Sequence, residues 1–243
     1  MAGIALVTGC GGADPSRPRL LVSAASSLTE ALTACSDSFG AADVRLSFAG
    51  SDELAAQIRQ GAKPDVFASA NTRLPKALRK EGRLSRPVEF ATNELVLAVP
   101  AGEGKVRSVG DLSRQGVTLA VGSPSVPIGS YTREVLSRLP GGQGAAILSH
   151  VRSNEPEVKG IVGKLTQRAV DAGFVYRSDV EAARDELDGI ELPARLRPTV
   201  VYGAGVVKGA RQPGVARGYV AGLRHGVCAR RLLDSGFGRP PSS

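Results

Sequence analysis

Four short stretches of this chain place small hydroxyl residues or free backbone amides where a strand gives way to a helix. Residues 23–30 read SAASSLTE, directly after the apolar run Leu20-Leu21-Val22. Ser27 and Glu30 there have the spacing of a capping box, hydroxyl to the N3 amide and carboxylate back to the N-cap amide. In FAGSDELAAQI, Gly50 and Ser51 stand at the mouth of a second helix. In GSPSVPIGSY (122–131), Pro127 fixes the turn and Gly129 permits close backbone approach before a third. In SNEPEVKGIV, Pro156 suits the first helical position and leaves the amides of Glu157 and Val158 free at a fourth. A helix start offers up to four unpaired N–H donors and the positive end of the macrodipole, so it holds an anion without needing a cation. Any one of these is an ordinary helix start. Four of them after strand ends, two in each half of the chain, can face one cleft beyond the carboxyl ends of parallel strands.

Other chemistries find no residues to carry them. The two histidines, His150 and His225, lack metal-like spacing to a Cys, Asp or Glu, and no G-x-S-x-G elbow exists. GEGKV at 102–106 lacks the Ser/Thr and the glycine spacing of a P-loop, and GAGVVKG at 203–209 misses the dinucleotide pattern by one residue. The carboxylate pairs Asp52/Glu53 and Glu155/Glu157 fall at helix starts, where negative charge complements the dipole. No catalytic group is nominated.

The elements that must position the four starts follow from periodicity and turn residues. Strands are expected at Arg19–Ala24, Val44–Phe48, Asp65–Ser69, Glu94–Val99, Thr118–Val121, Ala172–Tyr176 and Thr199–Val207. Helices are expected at Leu28–Phe39, Glu53–Gln60, Arg73–Glu81, Tyr131–Leu139, Glu157–Arg168 and Val215–Leu233, with a helical turn at Val109–Leu112. Strands alternating with helices imply mostly parallel sheets with helices on both faces, in two α/β lobes. The expected division is a leader and linker at 1–18, lobe one from 19–98 plus 203–243, and lobe two from 99–202.

The 243 residues carry a net charge of +8, 42% apolar residues and only 4% aromatics with no Trp. The basic balance reads as a solvated surface, and arginines scattered along the chain argue against nucleic acid. No internal apolar run approaches the roughly 20 residues needed to span a membrane. Of the three cysteines, Cys35 and Cys228 lie near opposite ends, free to pair outside the cytoplasm or to stand as two buried thiols.

Two resemblances sharpen these expectations. Val7-Thr8-Gly9-Cys10, followed by a Gly/Asp/Pro/Ser spacer, resembles the bacterial lipoprotein signal, which implies that Cys10 is lipidated and anchors the chain to a membrane surface. The segment from Leu20 to Gly238 resembles the molybdate-binding proteins of bacterial ABC transporters, a branch of the type II periplasmic binding proteins. The motifs are AASSLTEAL, SFAGSDELAAQIRQGAKPDVFASAN, FATNELVLAVP, LAVGSPSVPIGSYTREVL and DAGFVYRSDV. The resemblance implies a two-lobed type II fold with the ligand cleft between the lobes, and a tetrahedral oxyanion, molybdate or tungstate, held by neutral donors. It assigns hydroxyl and amide donation to Ser27 and Ser51, backbone amides to Ile128 and Val158, and a phenolic O–H to Tyr176. It further implies an extracytoplasmic monomer that delivers its ligand to a permease. Rivals are a receptor for sulfate or phosphate, an enzyme with Ser27 as nucleophile (for which no general base stands nearby) and a regulatory effector domain.

Overall fold

The computed structural model describes residues 17–102 and 104–241; the lipobox-like run with Cys10 lies outside them. Among the described residues, ten strands form two five-stranded sheets. The first contains β1 (Arg19–Ala25), β2 (Asp43–Ala49), β3 (Val66–Ser69), β4 (Val88–Asn93) and β10 (Val200–Val206), in the order β2-β1-β3-β10-β4. The second contains β5 (Leu95–Pro100), β6 (Leu119–Gly122), β7 (Val151–Glu155), β8 (Ala172–Tyr176) and β9 (Leu187–Glu191), in the order β7-β6-β8-β5-β9. The two orders are the same pattern twice. Each sheet has three parallel strands and then one, β10 or β5, that runs antiparallel to both of its neighbours. All six residues of β5 are buried, as a strand covered by helices on both faces must be.

The chain passes from the first sheet to the second at Glu94, between β4 and β5, and returns through a 3₁₀ turn at Ala194–Leu196 before β10. The apolar run around 94–100 therefore lies wholly in the second sheet, and β10 in the first. Between the parallel strands run α1 (Thr29–Asp37), α2 (Ser51–Arg59), α4 (Pro127–Ser137), α5 (Gln143–Leu148) and α6 (Val158–Thr166). α3 (Arg73–Lys80), α7 (Arg177–Ala182), α8 (Pro213–Gly222) and α9 (Val227–Asp234) complete the helices.

Several boundaries depart from the sequence expectation for identifiable reasons. Val215–Leu233 is two helices, because Gly226 takes φ +82 and a right-handed helix cannot pass through it. α4 begins at Pro127, four residues early, because proline is preorganised for a first turn. α2 likewise begins at Ser51, with Gly50 as its N-cap. α6 begins at Val158; Glu157 is its extended N-cap (φ −157), which puts Pro156 outside the helix.

α9 packs on α1, and a disulfide joins Cys35 to Cys228 across 193 positions of sequence. It ties the last helix to the first, both on the side of the first sheet.

Candidate functional site

Ser27, Ser51, Ile128, Val158 and Tyr176 all line one cavity of about 20 Å³ between the two sheets. Each is 4% exposed or less. Ala25, Ser26, Gly50, Ala70, Pro127 and Glu157 are among the other lining residues, and none of the residues that form the cavity is Lys, Arg or His. A space of this size is a little more than one water molecule needs. A larger cavity of about 490 Å³ lies beside α9 and Arg239–Pro241 and is lined by none of the five.

Three helix starts aim amides at this space. The first backbone bond of α2 runs from Leu54 N to Gly50 O, which leaves the amides from Ser51 to Glu53 ahead of the ladder. In α4 the first bond is Ser130 N to Val126 O, leaving those of Ile128 and Gly129. Val158 is the first helical residue of α6. Close backbone approach sets both sides of the cleft. A Cβ on Gly129 would lie 1.9 Å from Ser123 O, and one on Gly50 only 2.5 Å from Pro156 O of the opposing lobe.

The side chains are oriented from behind. Ser51 Oγ accepts from Ala70 N at 3.1 Å, so its one proton stays available for an acceptor in the cavity. Ser27 Oγ and Tyr202 Oη are 2.9 Å apart. Tyr202, on β10, was not singled out in the sequence, where it reads only as one aromatic of a long strand. Tyr176 closes the back of the cavity between Tyr131 and Tyr202, both edge-on at 6.5 and 5.9 Å. Its hydroxyl is buried without a hydrogen-bond partner. Burial, with Tyr202, Tyr131 and Asp179 adding to it, holds that phenol well above its usual pKa, so it stays an O–H donor.

The rim carries acceptors. Ser125 Oγ donates to Asp52 Oδ2 across the cleft at 2.9 Å, while Asp52 Oδ1 and Glu157 Oε2 are buried without partners.

One expectation is overturned. Glu30 does not cap the helix at Ser27: a 3₁₀ turn at Ser26–Leu28 precedes α1, and neither start has a side-chain cap bond. Glu30 instead accepts from Lys159 Nζ of the second lobe at 2.8 and 3.0 Å. The box-like carboxylate is Asp179, which accepts from Tyr176 N at 3.1 Å.

Two α/β lobes meeting over a small donor-lined cavity define a two-lobed solute-binding protein. The chain belongs to the bacterial extracellular solute-binding proteins, whose family model matches residues 20–238. It works outside the cytoplasm, as that family does. It is 38% identical over 228 residues to the molybdate-binding protein ModA of Mycobacterium tuberculosis, covering 91% of this chain and 85% of the relative. Among solved structures, the periplasmic molybdate-binding protein of Azotobacter vinelandii superposes with a TM-score of 0.82 at 22% identity, covering 91% of this chain and all of that one. The sulfate-binding protein SubI of M. tuberculosis superposes at 0.80 and 17% identity, over 92% of this chain and 87% of its own. At those identities the two structures speak to the fold.

Proposed function

We propose that the protein is a receptor that captures molybdate, and tungstate with it, through Ser27, Ser51, Ile128, Val158 and Tyr176, and hands it to the permease of an ABC transporter. The observation that carries the ligand class is the Tyr176 hydroxyl. It is an O–H donor, fully buried and without a partner, and it lines a cavity whose other donors are hydroxyls and helix-start amides. A buried unsatisfied donor costs about 1–3 kcal/mol, and an oxyanion oxygen at that position would remove the penalty. Neutral donors at fixed positions replace the hydration of a dianion with little reorganisation and without an ion pair that would hold it too tightly to release. The relatives named for molybdate binding support the choice among oxyanions. Selection against the smaller sulfate rests on cavity size, since charge and shape are shared. Cys10 is assigned as the lipid attachment point of a monomeric receptor.

A second reading has one observation behind it. The partnerless Glu157 oxygen can accept from a protonated oxyanion such as hydrogenphosphate.

Calorimetric titration with molybdate, tungstate, sulfate and phosphate separates the readings. Tight binding of the first two alone is expected, and sulfate or phosphate binding as tight as molybdate rejects the choice. Ser27→Ala and Ser51→Ala are each expected to weaken molybdate binding by roughly 1–3 kcal/mol; unchanged affinity in both variants rejects the site.

A further inference from the structure

Three of the five cavity residues stand within three positions of charges on different elements: Ser27 of Glu30, Val158 of Lys159, Tyr176 of Asp179. The fold brings those three charges together. Lys159 Nζ donates to both carboxylate oxygens of Glu30, at 2.8 and 3.0 Å, and lies 3.4 Å from Asp179 Oδ1. Asp179 Oδ2 in turn accepts from the backbone N–H of Tyr176. Glu30 belongs to α1, on the first lobe; Lys159 and Asp179 belong to α6 and α7, on the second. Lys159 is absent from the cavity wall, so this cation stands one layer behind the neutral donors and touches no ligand position. Its side chain is 26% exposed and that of Asp179 0%, so the contact with Asp179 is protected from solvent while the one with Glu30 is partly open.

This arrangement differs from an ordinary surface pair. A surface pair joins neighbours on one element and contributes little. Here one ammonium joins the two lobes, and its second carboxylate, Asp179, accepts from the backbone N–H of Tyr176, the residue whose hydroxyl lines the cavity.

Building on the oxyanion-receptor reading, we propose that Lys159 is a positioning residue that couples lobe closure to assembly of the donor set. It engages Glu30 only when the lobes are shut and holds Tyr176 through Asp179 in both states. The ligand then binds a site that Lys159 has already biased toward closure, and the bond to Glu30 slows reopening.

The test uses the full protein with Lys159→Met, Glu30→Gln, the double variant and Lys159→Arg. Molybdate dissociation is followed by stopped flow, and the interlobe distance by paired labels, one on each lobe. Lys159→Met and Glu30→Gln are each expected to raise the dissociation rate about tenfold. The double variant should be no faster than Lys159→Met, and Lys159→Arg should stay within about threefold of wild type. Raising salt should speed release from wild type and leave Glu30→Gln unchanged. A purely structural lysine would lower the unfolding midpoint without this pattern of coupling and rescue. Additive single effects, or wild-type release from Glu30→Gln, overturn the proposal. If wild type binds none of the four anions, the ligand reading fails separately, and the distance measurement still decides. A more open ligand-free Lys159→Met than wild type supports the coupling, and equal distances overturn it.

Discussion

Tyr176, a donor in the site proposed above, carries a local deficit that a ligand would relieve. Its ring is well placed by two edge-on tyrosines, yet its hydroxyl is desolvated and has no acceptor. Tyr176→Phe should therefore split two measurements that usually move together. Without ligand, the unfolding free energy should be unchanged or higher by up to about 1 kcal/mol, because an unsatisfied group has been removed. Molybdate affinity should fall by roughly 1–3 kcal/mol in calorimetry. A loss of ligand-free stability above that range would mean that the hydroxyl has a partner within the fold. Beneath it, burial pushes the Asp179 carboxyl up to about 6, against the pull of Lys159 and the Tyr176 amide. Burial alone would lower the Lys159 ammonium, but its charges to Asp179 and Glu30 outweigh that and leave it raised. The folded protein thus holds a proton on Asp179 in a window where the unfolded chain, with its carboxyl near 3.8, has released it. More protons bound in the folded state means that stability falls as pH rises from about 4 to about 6. Urea midpoints across that window should show a loss on the order of 2 kcal/mol for wild type relative to Asp179→Asn. Parallel pH profiles for the two proteins would contradict the assignment.

The donor amides depend on where each helix begins, and that depends on how tightly the preceding strand end is packed. At the junction of β6 and α4, Gly129 has Ser123 O and Gly122 O where a methyl group would go, at 1.9 and 2.4 Å. Gly129→Ala must push the α4 start away from β6, costing about 2–4 kcal/mol in a urea melt and displacing the Ile128 amide enough to abolish measurable molybdate binding. Retained binding would show that this amide is not a donor. The strand-to-helix turns were legible in the sequence because serine, glycine and proline announce them, although α2 and α4 begin two and four residues before the expected helices, and β8 was legible to the residue. Other elements left weaker signals. β7 reads VRSNE and β9 reads LDGIE, with too few apolar side chains to mark a buried face, although both pair at the edges of the second sheet, β9 in continuous register and β7 with a shift at Leu119/Ala120. Glu30 was misread because spacing reports only local partners. Its actual partner, Lys159, is 129 residues away and belongs to the other lobe. Tyr202 was hidden for the same reason: its contact with Ser27 spans 175 residues, and nothing in TVVYGAGVV predicts it.

At the scale of the whole molecule, the first sheet takes four strands from residues 19–93 and a fifth, β10, from residues 200–206, and all five strands of the second sheet come between them. β10, α8 and α9 must return to residues 19–93 after the second sheet has been built. The Cys35–Cys228 bond secures that return, since it joins α1 to α9 and encloses 193 positions. Cross-links that close long loops restrict the unfolded chain most, and a loop of this size corresponds to about 5 kcal/mol at the entropic limit, with 2–5 kcal/mol the usual range. Both sulfurs are buried in the first lobe, and neither half-cystine lines the cavity. Reduction, or Cys35→Ala with Cys228→Ala, should therefore lower the thermal midpoint markedly while leaving the molybdate dissociation constant within about twofold at temperatures where the protein is still folded. Saturating molybdate should raise the midpoint of oxidised and reduced protein by similar free energies, because ligand linkage acts through the closed lobes and the disulfide acts through the unfolded chain. A reduced protein that stays folded but binds molybdate tenfold more weakly would place the cross-link in the closure mechanism, contrary to the separation argued from its position.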